Sequence, residues 1–234
     1  MRRVVEPELL DDLPPADSRA AGSRADLRRL NFIMGHAGIV WRALRHQSTE
    51  SFGRSRPLRL VELGAGDGTL LLRLASRWSA LGMTAEVTLL DRHDLVSAET
   101  RRAFAALNWF VESVPTDVFT WLEQPSPIVD VILANLFLHH FPEEQLAALL
   151  RLAAARTKHL IACEPRRTPL ALTASRWLWL MGCNGITRHD AVVSVRAGFL
   201  GHELSTLWPS VPDWELSEQP AGLFSHCFIA KRHA

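Results

Sequence analysis

The chain is poor in the features that mark several classes of protein. Its 234 residues hold three cysteines, Cys163, Cys183 and Cys227, an odd number, widely spaced and without a C-x-x-C pair. That argues against a disulfide framework or a zinc site, and no ligand cluster in the sequence suggests a metal. No apolar run reaches the ~18 residues of a membrane span. The two best stretches are interrupted by Asp130, Asn135 and His139, and by Arg176 and Asn184. The first residues carry two arginines and then turn acidic at Glu6, Glu8, Asp11 and Asp12, without the apolar run of a signal peptide. Lysine occurs only at Lys158 and Lys231, and the arginines are scattered among acids to leave a net charge of +1. Such a balance supplies no field for nucleic acid or acidic lipid. These absences predict a soluble, cytoplasmic protein with no nucleic-acid partner and no membrane span, either monomer or homodimer.

What is present is ordinary for a globular chain, 47% apolar and 22% charged residues. Residues 1–25, with Pro14-Pro15 and a small polar stretch, read as a loose leader. Residues 26–57 read as a helical cap: Leu27, Leu30, Ile33, Met34, Ala37, Val40, Trp41 and Leu44 recur at helical steps. Asp26 stands where an N-cap belongs, and polar residues 47–57 form a loop. From residue 58 short apolar runs alternate with helical stretches. Strands are predicted at 58–63, 86–91, 109–115, 129–134 and 159–164, with helices at 69–81, 97–107, 119–122 and 142–155. This alternation argues for an α/β fold with a parallel, doubly wound sheet. An acceptor-side or lid insertion is expected at about 166–200, with a helix across 192–207. The last two strands, 214–219 and 224–231, are joined by Pro220-Ala221-Gly222, too short for a parallel crossover, so they pair antiparallel.

The strongest motif is Val61-Glu62-Leu63-Gly64-Ala65-Gly66-Asp67-Gly68-Thr69. Glycines at alternate positions after a strand bring bare backbone close to a ligand, and the free N–H groups of the next helix point into the same crevice. The spacing is G-x-G-x-G, not the G-x-G-x-x-G suited to a pyrophosphate. The acids Glu62 and Asp67 would repel a pyrophosphate and accept a cofactor with an amino group and a sulfonium. Asp91, followed by Arg92, ends the second strand, where an acid accepts bonds from both hydroxyls of a ribose. Asp117-Val118 follows the third strand, an acid beside an apolar residue that suits an adenine edge and face; a helix cap explains it equally well.

Together these pieces resemble the class I S-adenosylmethionine-dependent methyltransferases, from about residue 59 to the end of the chain. The resemblance implies a Rossmann-like seven-stranded sheet, mostly parallel, with an antiparallel C-terminal hairpin and helices on both faces. It implies that Glu62, Gly64, Ala65, Gly66 and Gly68 hold the methionine end of S-adenosylmethionine. Asp91 and Arg92 then lie at the ribose, Asp117 and Val118 at the adenine, and Asn135 beside the sulfonium.

The stretch Leu138-His139-His140-Phe141 looks like the Leu-His-His sequence of small-molecule members, and either His139 or His140 is a candidate base. Glu164-Pro165-Arg166-Arg167 ends the fifth strand at the same sheet edge. Arg188, His189, Arg196 and Trp177 are candidates for binding a small-molecule acceptor through charge-assisted bonds and an apolar lid; salt bridging and core packing are the plainer uses of such residues. The expected reaction is in-line methyl transfer to an aromatic or polyketide- or quinone-like hydroxyl. A catalytically silent S-adenosylmethionine-binding regulatory protein and an NAD-dependent dehydrogenase are the alternatives.

Overall fold

A computed structural model of the chain describes residues 1–51, 56–210 and 212–233, with the backbone alone for 46–51. Strands β1 Leu58–Leu63, β2 Ala85–Asp91, β3 Phe110–Pro115, β4 Val129–Asn135, β5 Thr157–Pro165, β6 Trp214–Ala221 and β7 Ser225–Arg232 form one sheet in the order β3-β2-β1-β4-β5-β7-β6. The first five strands run parallel, and β7 pairs antiparallel with both β5 and β6. Strand order reverses between β1 and β4, and a crevice opens there at the carboxyl ends, as such sheets require.

Residue alternation along β1 and β4 builds two cores. Leu58 and Leu60 of β1 face the same cluster as Val131 and Leu133, with Leu74, Trp78, Phe104 and Trp109. Val61 and Leu63 face the opposite cluster with Ile132, Ala134, Leu149 and Phe228. Glu62 stands beside Leu133 in register, and Asn135 lies two residues beyond it. The period of two therefore puts Glu62 and Asn135 on the same face, at the crevice. That face is covered by α2 His36–Ser51, α3 Thr69–Ser79 and α4 Ala98–Ala106. Helices α5 Val118–Glu123 and α6 Glu143–Arg156 contribute to the other.

The cap and leader depart from expectation. The first helix, α1 Ser18–Ile33, is capped by Asp17, whose side chain accepts from the Arg19 amide. Asp26, expected as the cap, instead lies inside α1 and accepts from the Asn184 amide and the Thr187 hydroxyl. The expected single helix is two, because Gly35 takes φ +69° between α1 and α2, a conformation that ends a helix. Residues 47–51, read as loop, continue α2; residues 52–55 lie outside the described residues. Nor is the start of the chain loose. The Arg3 guanidinium donates to the carbonyls of Ala197, His139 and Phe141, and the Leu9 and Leu10 amides donate to Asp190.

Past β5 lie α7 Pro169–Arg176, a 3-10 turn Leu178–Met181, α8 Gly185–Ala197 and α9 Glu203–Leu207. The helix expected at 192–207 is thus two pieces of different origin. Asn184 starts α8 by accepting from the Thr187 amide. The chain breaks after Ala197, where Gly198 passes so close to β5 that a Cβ would sit 2.3 Å from the Pro165 carbonyl oxygen. Among the described residues no helix is long and apolar enough to cross a membrane.

Candidate cofactor cleft

The turn between β1 and α3 forms the floor of the crevice. Gly64, Gly66 and Gly68 all have positive φ, but two of them use it differently. A Cβ on Gly64 would lie 2.3 Å from the Phe137 ring, so this glycine lets the chain after β4 pass close by. A Cβ on Gly66 would meet nothing within 4 Å; here the bare backbone faces open space, as a cradle for a ligand does. Opposite stands Leu136 with φ +52°, a left-handed conformation that costs a branched, bulky residue roughly 1–3 kcal/mol and collects at functional sites.

The cleft is lined by Glu62, Gly64, Ala65, Gly66, Asp67, Asn135 and Leu136 together with Arg24, Leu27, Arg28 and Asn31 of α1 and Arg73 of α3. Three buried acceptors on this wall, Glu62 Oε2, Asn135 Oδ1 and Asn31 Oδ1, have no hydrogen-bond partner among the described residues. Burial, reinforced by the charges of Asp67 and Asp91, pushes the Glu62 carboxyl well above the usual carboxylate range. A cationic donor is what this set lacks, and an ammonium supplies it. Arginines supply the opposite sign at the rim, and Arg28 reaches Asp67 at 2.8 Å. A zwitterionic amino-acid group has the charges to match.

Asp91, half-buried at the end of β2, accepts from the Gly66 amide at 2.9 Å and the His93 amide at 3.1 Å. It holds the glycine turn against β2. Arg92 beside it is exposed. Asp117 caps α5 by accepting from the Phe119 and Thr120 amides through Oδ1, the plainer of its two expected uses, and Val118 is buried in the core.

The two adjacent histidines face different ways, His139 inward and His140 outward. His139 is buried, with Nδ1 2.8 Å from Glu164 and Nε2 3.3 Å from Glu8. Burial opposes its charge, but the bonds to Glu164 and Glu8 outweigh this and raise the imidazole to about 9. The Glu8 carboxyl, despite its burial, is drawn down to about 2 by the same imidazole. Both ring nitrogens of His139 are thus engaged by carboxylates, which leaves neither free for a proton from an acceptor in this arrangement. His140 is partly exposed, its Nδ1 3.3 Å from Asp11.

The other acceptor-side candidates stand away from the cleft lining. Trp177 and Arg188 are exposed, Trp177 stacking on Trp179. His189 bonds Asp190 at 2.9 Å, and Arg196 faces Glu6 at 3.7 Å. Glu164 accepts from the amides of Phe137, Leu138 and His139, and Arg167 bonds the carbonyls of Gly198 and Met1 and the Glu203 carboxylate. These groups hold chain to chain. Arg24, Arg28 and Asn31 escaped the sequence reading, which followed the leucines of this helix; their i, i+4, i+7 spacing is a polar stripe that marks a second working face.

A family profile described as a methyltransferase domain matches residues 60–159, the segment that holds the glycine turn, Asp91, Asp117 and Asn135. Over residues 60–159 the chain is therefore similar to methyltransferase domains. Solved structures of methyltransferases share its fold. An O-methyltransferase family protein from Burkholderia thailandensis aligns over 93% of this chain and 60% of its own, with 19% identity and a TM-score of 0.57. The mitomycin 7-O-methyltransferase MmcR aligns over 96% and 60%, with 19% identity and a TM-score of 0.61. The plantazolicin methyltransferase BamL, solved with a triazolic desmethylPZN analog and SAH, aligns over 92% and 91%, with 14% identity and a TM-score of 0.64. The chain thus spans about 60% of the length of the first two. A search of curated proteins gave no match. The G-x-G-x-G spacing of the turn and the match to a methyltransferase domain both weigh against the dehydrogenase alternative.

Proposed function

We propose that the protein transfers a methyl group from S-adenosylmethionine to a hydroxyl of a small aromatic or polyketide- or quinone-like molecule. The observation that carries the cofactor half is the group of unpartnered acceptors, Glu62 Oε2, Asn135 Oδ1 and Asn31 Oδ1, around the open backbone at Gly66. In this reading Glu62 and Asn31 take the ammonium of the methionine end, and Arg24, Arg28 and Arg73 neutralise its carboxylate. Asp91 turns an oxygen to the ribose, and Asp117, whose second carboxylate oxygen the α5 cap leaves over, meets the adenine. Asn135 and Leu136 stand at the sulfonium.

The bound cofactor supplies an electrophilic methyl group, so the chain need not create one. What these residues do is orient and dry. α1 closes the cleft from one side, and Leu136 and Phe137 from another, which excludes water from the reacting atoms. Alignment of nucleophile and methyl is worth several kcal/mol, roughly 7–11 at best. With the cofactor bound, an acceptor oxygen held in this cleft would take the methyl group in exchange for its own proton, which would leave to solvent. A phenol or enol needs little help with that last step, which agrees with His139 being engaged on both nitrogens. The hydroxyl preference is supported by the likeness to MmcR, whose name specifies a 7-O-methyl transfer.

Incubation with S-adenosylmethionine and a panel of phenolic and hydroxyquinone acceptors, read by mass spectrometry, tests the proposal. A product heavier by one methylene, with S-adenosylhomocysteine in equal amount, is expected. Tight cofactor binding with no product from any acceptor class would favour the silent regulatory alternative.

A further inference from the structure

Above the end of β4 lies a second constellation that the methyl-transfer reading does not use. Glu8, His139 and His140 each offer a ligand atom, and these atoms lie within 4.8 Å of one another. They come from two distant parts of the chain, the N-terminal segment and the 3-10 turn Leu138–His140. From Glu8, His139 and His140 together we infer a site for a divalent transition metal, with zinc as its simplest occupant, that clasps the N-terminal segment to the edge of the sheet.

Four features point to a ligand set and not to a salt bridge alone. First, the residue types are those of a His-His-Glu zinc site. Second, His139 Nε2 and Glu8 Oε1 are 3.3 Å apart, about the edge of a tetrahedron with metal–ligand bonds near 2.0 Å. Third, each imidazole has a carboxylate at its Nδ1, Glu164 at 2.8 Å for His139 and Asp11 at 3.3 Å for His140. That outer arrangement fixes ring orientation in metal sites and makes the remaining nitrogen a better ligand. Fourth, three carboxylates, Glu8, Asp11 and Glu164, surround two imidazoles. Arg3, the neighbouring cation, directs its guanidinium to the carbonyls of Ala197, His139 and Phe141. A divalent ion balances the excess of negative charge. The metal would take the position of the proton that His139 Nε2 shares with Glu8.

His140 is a quarter exposed and Asp11 half exposed, so the His140 imidazole has room to close on the ion and leave a fourth position to water. Ser194, which donates to Glu8, holds the carboxylate in place. The same bond joins the clasp to α8, so closing the site also fixes the segment that carries Glu8 against α8.

The test is calorimetric titration of the chelator-stripped full chain with ZnCl2. One ion per chain is expected, and Glu8→Gln and His140→Ala should each weaken it at least about tenfold. His202→Ala, an exposed histidine far along the chain, should leave it unchanged. Trypsin cleavage after Arg2 and Arg3 should slow when zinc is added to the native chain and not when it is added to Glu8→Gln. His140→Ala removes a partly exposed ring and serves if Glu8→Gln fails to fold, as judged by circular dichroism. No zinc uptake, or uptake of equal affinity in both variants, would overturn the inference. S-adenosylmethionine binding measured on the same samples keeps this outcome separate from the cofactor assignment.

Discussion

Two stretches of the same sheet edge are finished in opposite ways. Around β1 and the end of β4, buried acceptors of Glu62, Asn135 and Asn31 have no partner among the described residues. Around the end of β5, Glu164 takes three amides and an imidazole, and Asp190 takes the Leu9 and Leu10 amides. An unpaired buried polar group costs about 1–3 kcal/mol. A fold that satisfies its carboxylates so fully on one side has no need to leave three acceptors bare on the other unless something else pairs them. The first stretch is built for a ligand and the second for the chain's own N-terminal segment.

The contrast can be broken from either side. The largest effect is expected at Gly64→Ala, where a Cβ would meet Phe137 at 2.3 Å in a φ +64° conformation. A loss of about 3 kcal/mol, seen as a lowered Tm, should accompany loss of cofactor binding; a variant as stable as the native chain would mean that the turn is not clamped by β4. Acid should act comparably through His36, buried with Nε2 3.1 Å from the Ser225 hydroxyl. Burial holds this imidazole down to about 4 from an ordinary 6.5. The unfolded chain binds the proton first, so stability present above pH 6.5 drains as pH falls towards 4, by about 3 kcal/mol in all. Denaturant melts between pH 7 and 4 should show a slope that His36→Asn flattens; an equal slope in both proteins would assign it elsewhere.

On the chain-to-chain side, Asp190→Ala frees the Leu9 and Leu10 amides and should cost about 2 kcal/mol. Proteolysis of the first residues should quicken while cofactor affinity stays within twofold, about 0.4 kcal/mol. A matching loss of affinity would show that the two stretches are one unit. The smallest change is expected at Glu62→Gln without cofactor. Replacing a buried, unpaired carboxyl by an amide of the same shape should leave stability equal or raise it by about 1 kcal/mol. A clear fall in Tm would mean that Glu62 is already paired.

The sequence exposes this contrast unevenly. Strands β1, β4 and β5 are legible because each is an apolar run buried almost throughout, and the hairpin because Pro220-Ala221-Gly222 leaves too short a connection for anything but an antiparallel pair. The glycine turn and Asp91 are legible because their chemistry is local. Illegible were the features made by distant pairing. Nothing near Glu8 announces that it will meet His139, and the acidic leader reads as solvated until β4 and α8 supply its partners. The end of α8 was missed for a similar reason, since Gly198 breaks the helix to clear the Pro165 carbonyl, a contact across the fold. α1 was read at the wrong boundary because one of its faces serves a polar cleft, so its apolar stripe is weak where the arginines stand.

The most direct test of the central claim is calorimetry of the purified chain with S-adenosylmethionine, S-adenosylhomocysteine and NAD, repeated with Asp91→Ala and Glu62→Gln. The account predicts binding of both sulfur compounds and none of NAD. Each variant should weaken binding by about 10–100-fold, the loss of one charge-assisted contact of roughly 1.5–3 kcal/mol. A folded chain that binds neither sulfur compound, or binds them equally well without Asp91 and Glu62, would contradict it.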